Sequence, residues 1–460
     1  MPYEGELAGY EPLRRVANTE RIKTLLGRSK VRDNKQSVTH LPKIERASIE
    51  PSKYEPSMVI AIDGSTIPVE VETGYPGAEM GYVTVASVFI DLEKARKLDE
   101  QRPVNPVEFR KTQSPESIDS AFPGCNVIVD KEISAKSSLR KVLYELMESV
   151  RIFEDGESLL DTYEALLAFK PDRNEDKQKC PYYGQYDNNC IDEKQKFRNQ
   201  KRAYYCHCMY GRPLYSTDAL RIHEGMHPDS TNQSVFTEIM QILERLWIVH
   251  ILRNLEAKGW MAILRKVAMV VDGPLAVFGH PAWLSHAIKM ELNRLNEAAK
   301  EFTDEQDILI IGIEKTGAFV NHLTQIDYFV PEKKRNIIPE QTAYLLTDDY
   351  IKRNIVYSES KRPYGRQTYF GRKFFYKTRS GALLVATLPF LNEAHEDLAQ
   401  AHPSQFPRLA DAMALLDQLV SVQHPNSLSP IITAHAEASI PLNLGKRVLE
   451  KMARELMRKM

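Results

Sequence analysis

The sequence predicts an α/β protein built on one mixed sheet with helices on both faces. Two strand-length, mainly apolar runs, Met58 to Ile62 and Lys266 to Val271, each stop at Asp-Gly, as strands buried on both faces do. Stretches with helical spacing then alternate with further strands. Strands followed by strand–helix alternation require a sheet that is covered on both sides.

Taken in order, residues 1–56 are polar, charged and weakly periodic, and read as an N-terminal arm with some helix. The main domain, 57–460, opens on Met58 to Ile62, which ends in a tight turn at Asp63-Gly64-Ser65. Thr66 to Glu72 alternates Ile67, Val69 and Val71 with Pro68, Glu70 and Glu72, and Tyr82 to Asp91 is again β-branched and aromatic. These make an antiparallel meander of three strands. From 94 to 232 the composition loosens into a helical and cysteine-rich insertion, with an amphipathic helix at about 135–153. Ser234, a competent N-cap, opens a helix to Glu256 whose apolar stripe runs Phe236, Met240, Leu243, Trp247, Ile251 and Leu255. A helix at about 281–302 and a strand from Ile308 to Glu314 complete the pattern. There is no internal repeat.

Composition excludes several classes. The 460 residues carry 61 basic and 62 acidic side chains, so no global basic field marks a nucleic-acid partner and any such partner must use a local patch. No apolar run approaches the ~18 residues of a membrane span, and the N-terminus lacks a signal-peptide core. Five cysteines, an odd number, point to a reducing cytoplasm rather than a disulfide framework.

Asp63 and Asp272 carry the first chemical signal. Ligands of open α/β sheets bind off the carboxyl ends of strands, where both residues stand. If the two strands are neighbours, their carboxylates share one crevice and repel, and a divalent cation relieves the repulsion. Oxygen ligands select Mg²⁺ or Mn²⁺. The intervening helix offers Glu238 or Glu244 as a third carboxylate; six positions are about 240° of helix, so both cannot face the site. Glu238, nearer the helix start, is favoured. The order strand–Asp, two strands, helix–Glu, strand–Asp is that of ribonuclease H-like folds, which bind two metals about 4 Å apart to hydrolyse phosphodiesters. Lys315 ends the third apolar strand, where an ammonium can neutralise a phosphate. His435 lies among Ala434, Ala436 and Ala438, unobstructed for acid or base duty. His322 and Asp327 are further candidates.

The segments IAIDGSTIPVEV, VAMVVDGPLAVFG, IIGIEKTGAFVNHL and PIITAHAEASI, in that order, resemble the NurA family of nucleases. The resemblance implies a ribonuclease H-like, Mn²⁺- or Mg²⁺-dependent DNA nuclease of the 5′→3′ exonuclease and single-strand endonuclease type. It implies a homodimer working with a HerA-type hexameric ATPase in DNA end processing or antiphage defence. It also implies that Asp63, Glu238 or Glu244, and Asp272 hold the metals, that His435 matches the late catalytic histidine, and that Lys315 matches the strand-end lysine. A tyrosine expected upstream of that histidine is missing from Val422 to Ser429, VQHPNSLS. The competing reading is a catalytically silent nuclease-like scaffold that binds DNA and regulates a ring ATPase.

Two further stretches stand out. Cys180, Cys190, Cys206 and Cys208 fall within 29 residues and suggest a structural Zn²⁺ subdomain, with His207, His223 or His227 as substitute ligands. Residues 352–379 hold nine Lys or Arg, one acidic residue and seven Tyr or Phe, a mixture suited to phosphate neutralisation and base stacking. Arg366, Arg372, Lys373, Tyr376 and Lys377 are the expected nucleic-acid contacts.

Overall fold

The computed structural model describes residues 10–30, 41–72, 77–99, 113–171, 180–182, 200–206, 211–330, 335–421, 427–439 and 447–452. They belong to two units, Met1–Ser37 and Val38–Met460. In the first, α1 (Tyr10–Asn18) and α2 (Glu20–Arg28) meet at Thr19, whose hydroxyl donates to Arg15 O at 2.6 Å. Leu13, Val16, Leu25 and Leu26 are all more than half exposed.

A nine-stranded sheet organises the second unit. Its strands are β1 (Lys43–Glu45), β2 (Met58–Glu72), β3 (Ala78–Asp91), β4 (Gln113–Pro123), β7 (Val267–Asp272), β8 (Leu309–Glu314), β11 (Thr342–Leu345), β12 (Gly371–Lys377) and β13 (Leu383–Pro389). β5 (Ala203–Tyr205) with β6 (Pro213–Tyr215), and β9 (Phe329–Val330) with β10 (Arg335–Asn336), form two small ribbons. The sheet order is β1-β11-β12-β13-β8-β7-β2-β3-β4. β7 runs parallel to both β2 and β8, and the other pairings are antiparallel. The block β4-β3-β2-β7-β8 is the arrangement expected of a ribonuclease H-like core, and β13, β12, β11 and β1 widen it.

The helices are α3 (Leu92–Asp99), α4 (Ala135–Ser149), α5 (Leu159–Leu167), α6 (Gln233–Ala257), α7 (Trp283–Lys300), α8 (Ala318–Ile326), α9 (Asp348–Asn354), α10 (Leu409–Leu419) and α11 (Ser429–Ala438). The two-residue period of β2 divides them between two cores. Ile60 and Ile62 face the core built by α4, α5, α6 and α7, while Val59 and Ala61 face the one built by α10 and α11. A third cluster lies under β11, β12 and β13 with α8 and α9.

Four expectations change. No turn breaks the chain at Asp63-Gly64-Ser65, because Met58–Glu72 is one 15-residue strand that pairs with β3 through that point. The third meander strand is β4, which lies inside the stretch read as an insertion. The stretch read as an arm already joins the sheet at Lys43, beside Tyr344. Finally, α6 begins at Gln233 rather than after Ser234. Its start is held by Glu79 of β3, which accepts from Thr231 Oγ1 at 2.6 Å and from Asn232 N at 2.8 Å.

His223 and His250 are buried, and burial pushes each imidazole down to about 4. The folded chain therefore binds fewer protons than the unfolded chain between pH 6.5 and 4, and stability falls as pH drops through that window. Each histidine should withdraw on the order of 3 kcal/mol at the acid limit. Urea midpoints measured from pH 7 to 4 should fall, and His250→Gln should flatten the decline. An unchanged slope in that variant counts against the assignment.

Candidate active site

Parallel pairing of β2 with β7 runs from Met58↔Val267 to Ile62↔Val271, so the next residues, Asp63 and Asp272, come side by side. β8 flanks β7 and delivers Lys315 just beyond its end. The Lys315 ammonium lies 3.0 Å from Asp63 Oδ2 and 3.1 Å from Asp272 Oδ1, bridging the two carboxylates. α11 crosses β2 and β3 and sets His435 Nδ1 3.2 Å from Asp63 Oδ2, with the imidazole more than half exposed. Asp63 itself is 2% exposed, and its Oδ1 accepts from Gly64 N at 2.8 Å. Burial first, and then the Asp272 charge, push its carboxyl up to about 6, against the lowering pull of Lys315 and His435. Four residues from four segments distant in sequence thus meet at one point.

Glu244 is the carboxylate that α6 adds. It is buried, and a Cβ at Gly64 would stand 2.5 Å from Glu244 Oε1 and 2.7 Å from Met240 Cγ. Burial above all, with Asp63 and Asp272 adding to it, pushes its carboxyl up to about 8, while Arg245 pulls the other way. Glu238, the glutamate favoured from sequence, points elsewhere: its Oε1 would lie 2.6 Å from a Cβ at Gly279, and burial alone pushes it up to about 7. Met240 and Glu244, one turn apart on α6, overlie Gly64, so the glutamate that comes nearest the aspartates is the later one. The glycine is therefore needed for close approach and not for a turn. Gly64→Ala should keep the fold but displace Glu244, weakening Mn²⁺ binding by about tenfold or more, the scale of disturbing a ligand's support. Unchanged Mn²⁺ affinity by calorimetry would refute that role.

Arg245 was not anticipated, since nothing in its spacing marks it. Buried beside Glu244, it donates from Nη2 to Asp272 O at 2.8 Å, and its Nη1 lies 3.3 Å from Glu244 Oε2. Its Nε and Nη1 find no hydrogen-bond acceptor among the described residues, and neither does Asp272 Oδ1 find a donor in hydrogen-bond geometry. Three carboxylates thus converge on two cations and a histidine, and two of the three are pushed up. Burial accounts for most of both shifts, and repulsion among the carboxylates adds to it. Oxygen donors of this kind fit Mg²⁺ or Mn²⁺. Among the described residues no three acidic, histidine or cysteine side chains already enclose a metal-sized space, and the Lys315 ammonium lies between the aspartates.

The remaining expected sites fare differently. Arg372, Lys373, Tyr376 and Lys377 lie on β12, between β11 and β13 and covered on both faces, and all four are buried. Arg372 Nη1 donates to Asp397 O at 2.6 Å, Tyr376 OH donates to Asp417 Oδ1 at 3.0 Å, and Lys377 Nζ pairs with Asp327 Oδ2 at 2.7 Å. Lys373 pairs with Glu314, its ammonium 3.6 Å from the Phe319 ring centre. These four offer no surface to a strand; only Arg366, in the loop before β12, is exposed. Asp327 is spent on Lys377, and His322 Nε2 shares a hydrogen bond of 2.8 Å with Tyr350 OH. Cys180 and Cys206 pack together with Tyr182, Tyr204 and Leu214, whereas Cys190, Cys208 and His207 lie outside the described residues. His223 is buried near Arg140 and Asp218 instead.

The chain is similar over its length to the crystal structure of the NurA nuclease from Sulfolobus solfataricus, with 11% sequence identity, a TM-score of 0.37, and 98% of this chain and 97% of that one covered. No curated protein matches it. The model of the NurA domain matches residues 58–438, over four fifths of the sequence and all of the residues gathered at the site. The chain belongs to the NurA family of nucleases.

Proposed function

We propose that the chain is a divalent-metal-dependent deoxyribonuclease in which Asp63, Glu244 and Asp272 hold Mn²⁺ or Mg²⁺. The observation that carries this reading is the convergence of those carboxylates with Lys315 and His435 at the end of the parallel strands. Two metals bound there would activate a water and neutralise charge on the scissile phosphate. Lys315 is partly exposed and faces the same point, so its ammonium can move from the aspartates to a phosphate oxygen as metal arrives. His435 is oriented by Asp63 through Nδ1, which leaves Nε2 toward solvent to give a proton to the leaving 3′ oxygen. Arg245 ties the Asp272 strand end to the helix that carries Glu244.

Family membership supports the finer reading: a 5′→3′ exonuclease and single-strand endonuclease, acting as a homodimer with a HerA-type hexameric ATPase. The sequence has no GxxxxGK[ST] phosphate loop, so translocation needs a separate motor. The cysteine-rich subdomain is proposed to hold a structural Zn²⁺ through Cys180, Cys190, Cys206 and Cys208. No described helix is long and apolar enough to cross a membrane, and the proposed setting is the cytoplasm. The test uses end-labelled linear DNA with Mn²⁺, with EDTA, and with or without the ATPase. Nucleotide release should require metal; release by Asp272→Ala equal to the parent would overturn the carboxylate site, and a parent that releases nothing with metal would leave only the silent-scaffold reading.

A further inference from the structure

Resting on that nuclease reading, we infer that Phe278 and the loop at 361–368 form a ledge for the unpaired end of the DNA, with one base stacked on Phe278. The loop that carries Phe278 begins directly after Asp272. Phe278 is 43% exposed, yet its ring is fixed edge-on against Tyr369, with centroids 5.6 Å apart at 85°. The aromatic row continues from Tyr369 to Tyr364 at 5.7 Å and on to Phe319 at 5.8 Å, four residues past Lys315. It therefore starts and ends on the two segments that leave the carboxylate–lysine cluster.

Main-chain bonds stitch the two loops together. Val277 N donates to Thr368 O at 2.8 Å, and Phe370 N donates to Leu275 O at 3.0 Å. The second loop exposes Lys361, Arg362 and Arg366, none of which is in an ion pair with a described residue. A single exposed phenylalanine is ordinary on a protein surface. This one is held edge-on by Tyr369, its loop leaves the Asp272 strand end, and that loop is bonded to the one carrying three cations that have no ion pair with a described residue. Stacking on it requires a free base face, which a duplex does not offer. The basic and aromatic residues of 352–379 thus act here through the loop and not through β12.

The test measures binding of an oligo-dT strand carrying one 2-aminopurine, in Ca²⁺, by fluorescence anisotropy. Phe278→Ala should weaken binding by about 5- to 100-fold and abolish the 2-aminopurine quenching, while Phe278→Trp restores both. Arg362→Ala with Arg366→Ala should reduce the slope of log K against log salt by about 0.7 per residue. In Mn²⁺, Phe278→Ala should raise KM more than it lowers kcat on DNA with a single-stranded overhang. Binding within twofold of the parent, with quenching retained, overturns the ledge. A parent that binds the strand and quenches but never cleaves in Mn²⁺ overturns the nuclease reading and leaves the ledge standing as a binding surface.

Discussion

Asp63→Asn is expected to reduce Mn²⁺-dependent DNA cleavage by on the order of 10³-fold while raising the melting temperature of the metal-free protein. The loss follows from its position, because this carboxylate touches Lys315, approaches His435 and adjoins Asp272. The gain in stability follows from its cost to the fold. Burial and the Asp272 charge push the carboxyl up to about 6, so at neutral pH its ionised form works against folding. Asparagine keeps the shape and removes the charge. Adding Mn²⁺ should then raise the melting temperature of the parent by mass action and not that of the variant. A variant that cleaves at a tenth of the parent rate, or that gains equal stability from Mn²⁺, rules out Asp63 as a ligand.

The second large effect separates the two glutamates of α6. Glu244→Gln should weaken Mn²⁺ binding by about 10²-fold or more and abolish cleavage, whereas Glu238→Gln should change both by less than about threefold. Manganese titrations followed by electron paramagnetic resonance read binding without relying on turnover. The contrast rests on placement: Glu244 overlies Gly64 beside both aspartates, and Glu238 lies against Gly279. A larger effect at Glu238 would reverse the assignment. Equal, small effects at both would mean that α6 contributes no ligand.

Those two glutamates also mark how far the sequence could be read. Apolar runs of strand length told where β2, β7 and β8 begin, and Asp63 and Asp272 were legible because each ends such a run. The choice between Glu238 and Glu244 depends on how α6 crosses the sheet, which one helix's periodicity cannot supply. Gly64 looked like a turn residue because Asp-Gly-Ser is a turn signal; only the helix packed against it shows that the missing side chain is what matters. β4 was hidden because its Gln113–Pro123 sequence, QSPESIDSAFP, is polar, as an edge strand can be. The basic residues of β12 were misread for the opposite reason. Arg372, Lys373 and Lys377 carry surface chemistry in composition, but each meets a carbonyl or carboxylate brought from a distant segment. Composition cannot show such pairing.

The unbroken course of β2 bears on how the enzyme and its substrate must move. Asp63 sits mid-strand, with β3 paired along the length of β2 and β7 paired up to the preceding residue. To displace the main chain that carries this carboxylate, the centre of the sheet has to unzip, an opening that carries nearly the whole unfolding free energy. Hydrogen–deuterium exchange around Asp63 should accordingly be among the slowest in the chain, and heat should extinguish cleavage only as the whole second unit melts. The anvil is fixed. Adjustment between successive cuts falls to the DNA and to the side chains of Lys315, Asp272 and His435, which reach solvent at this site.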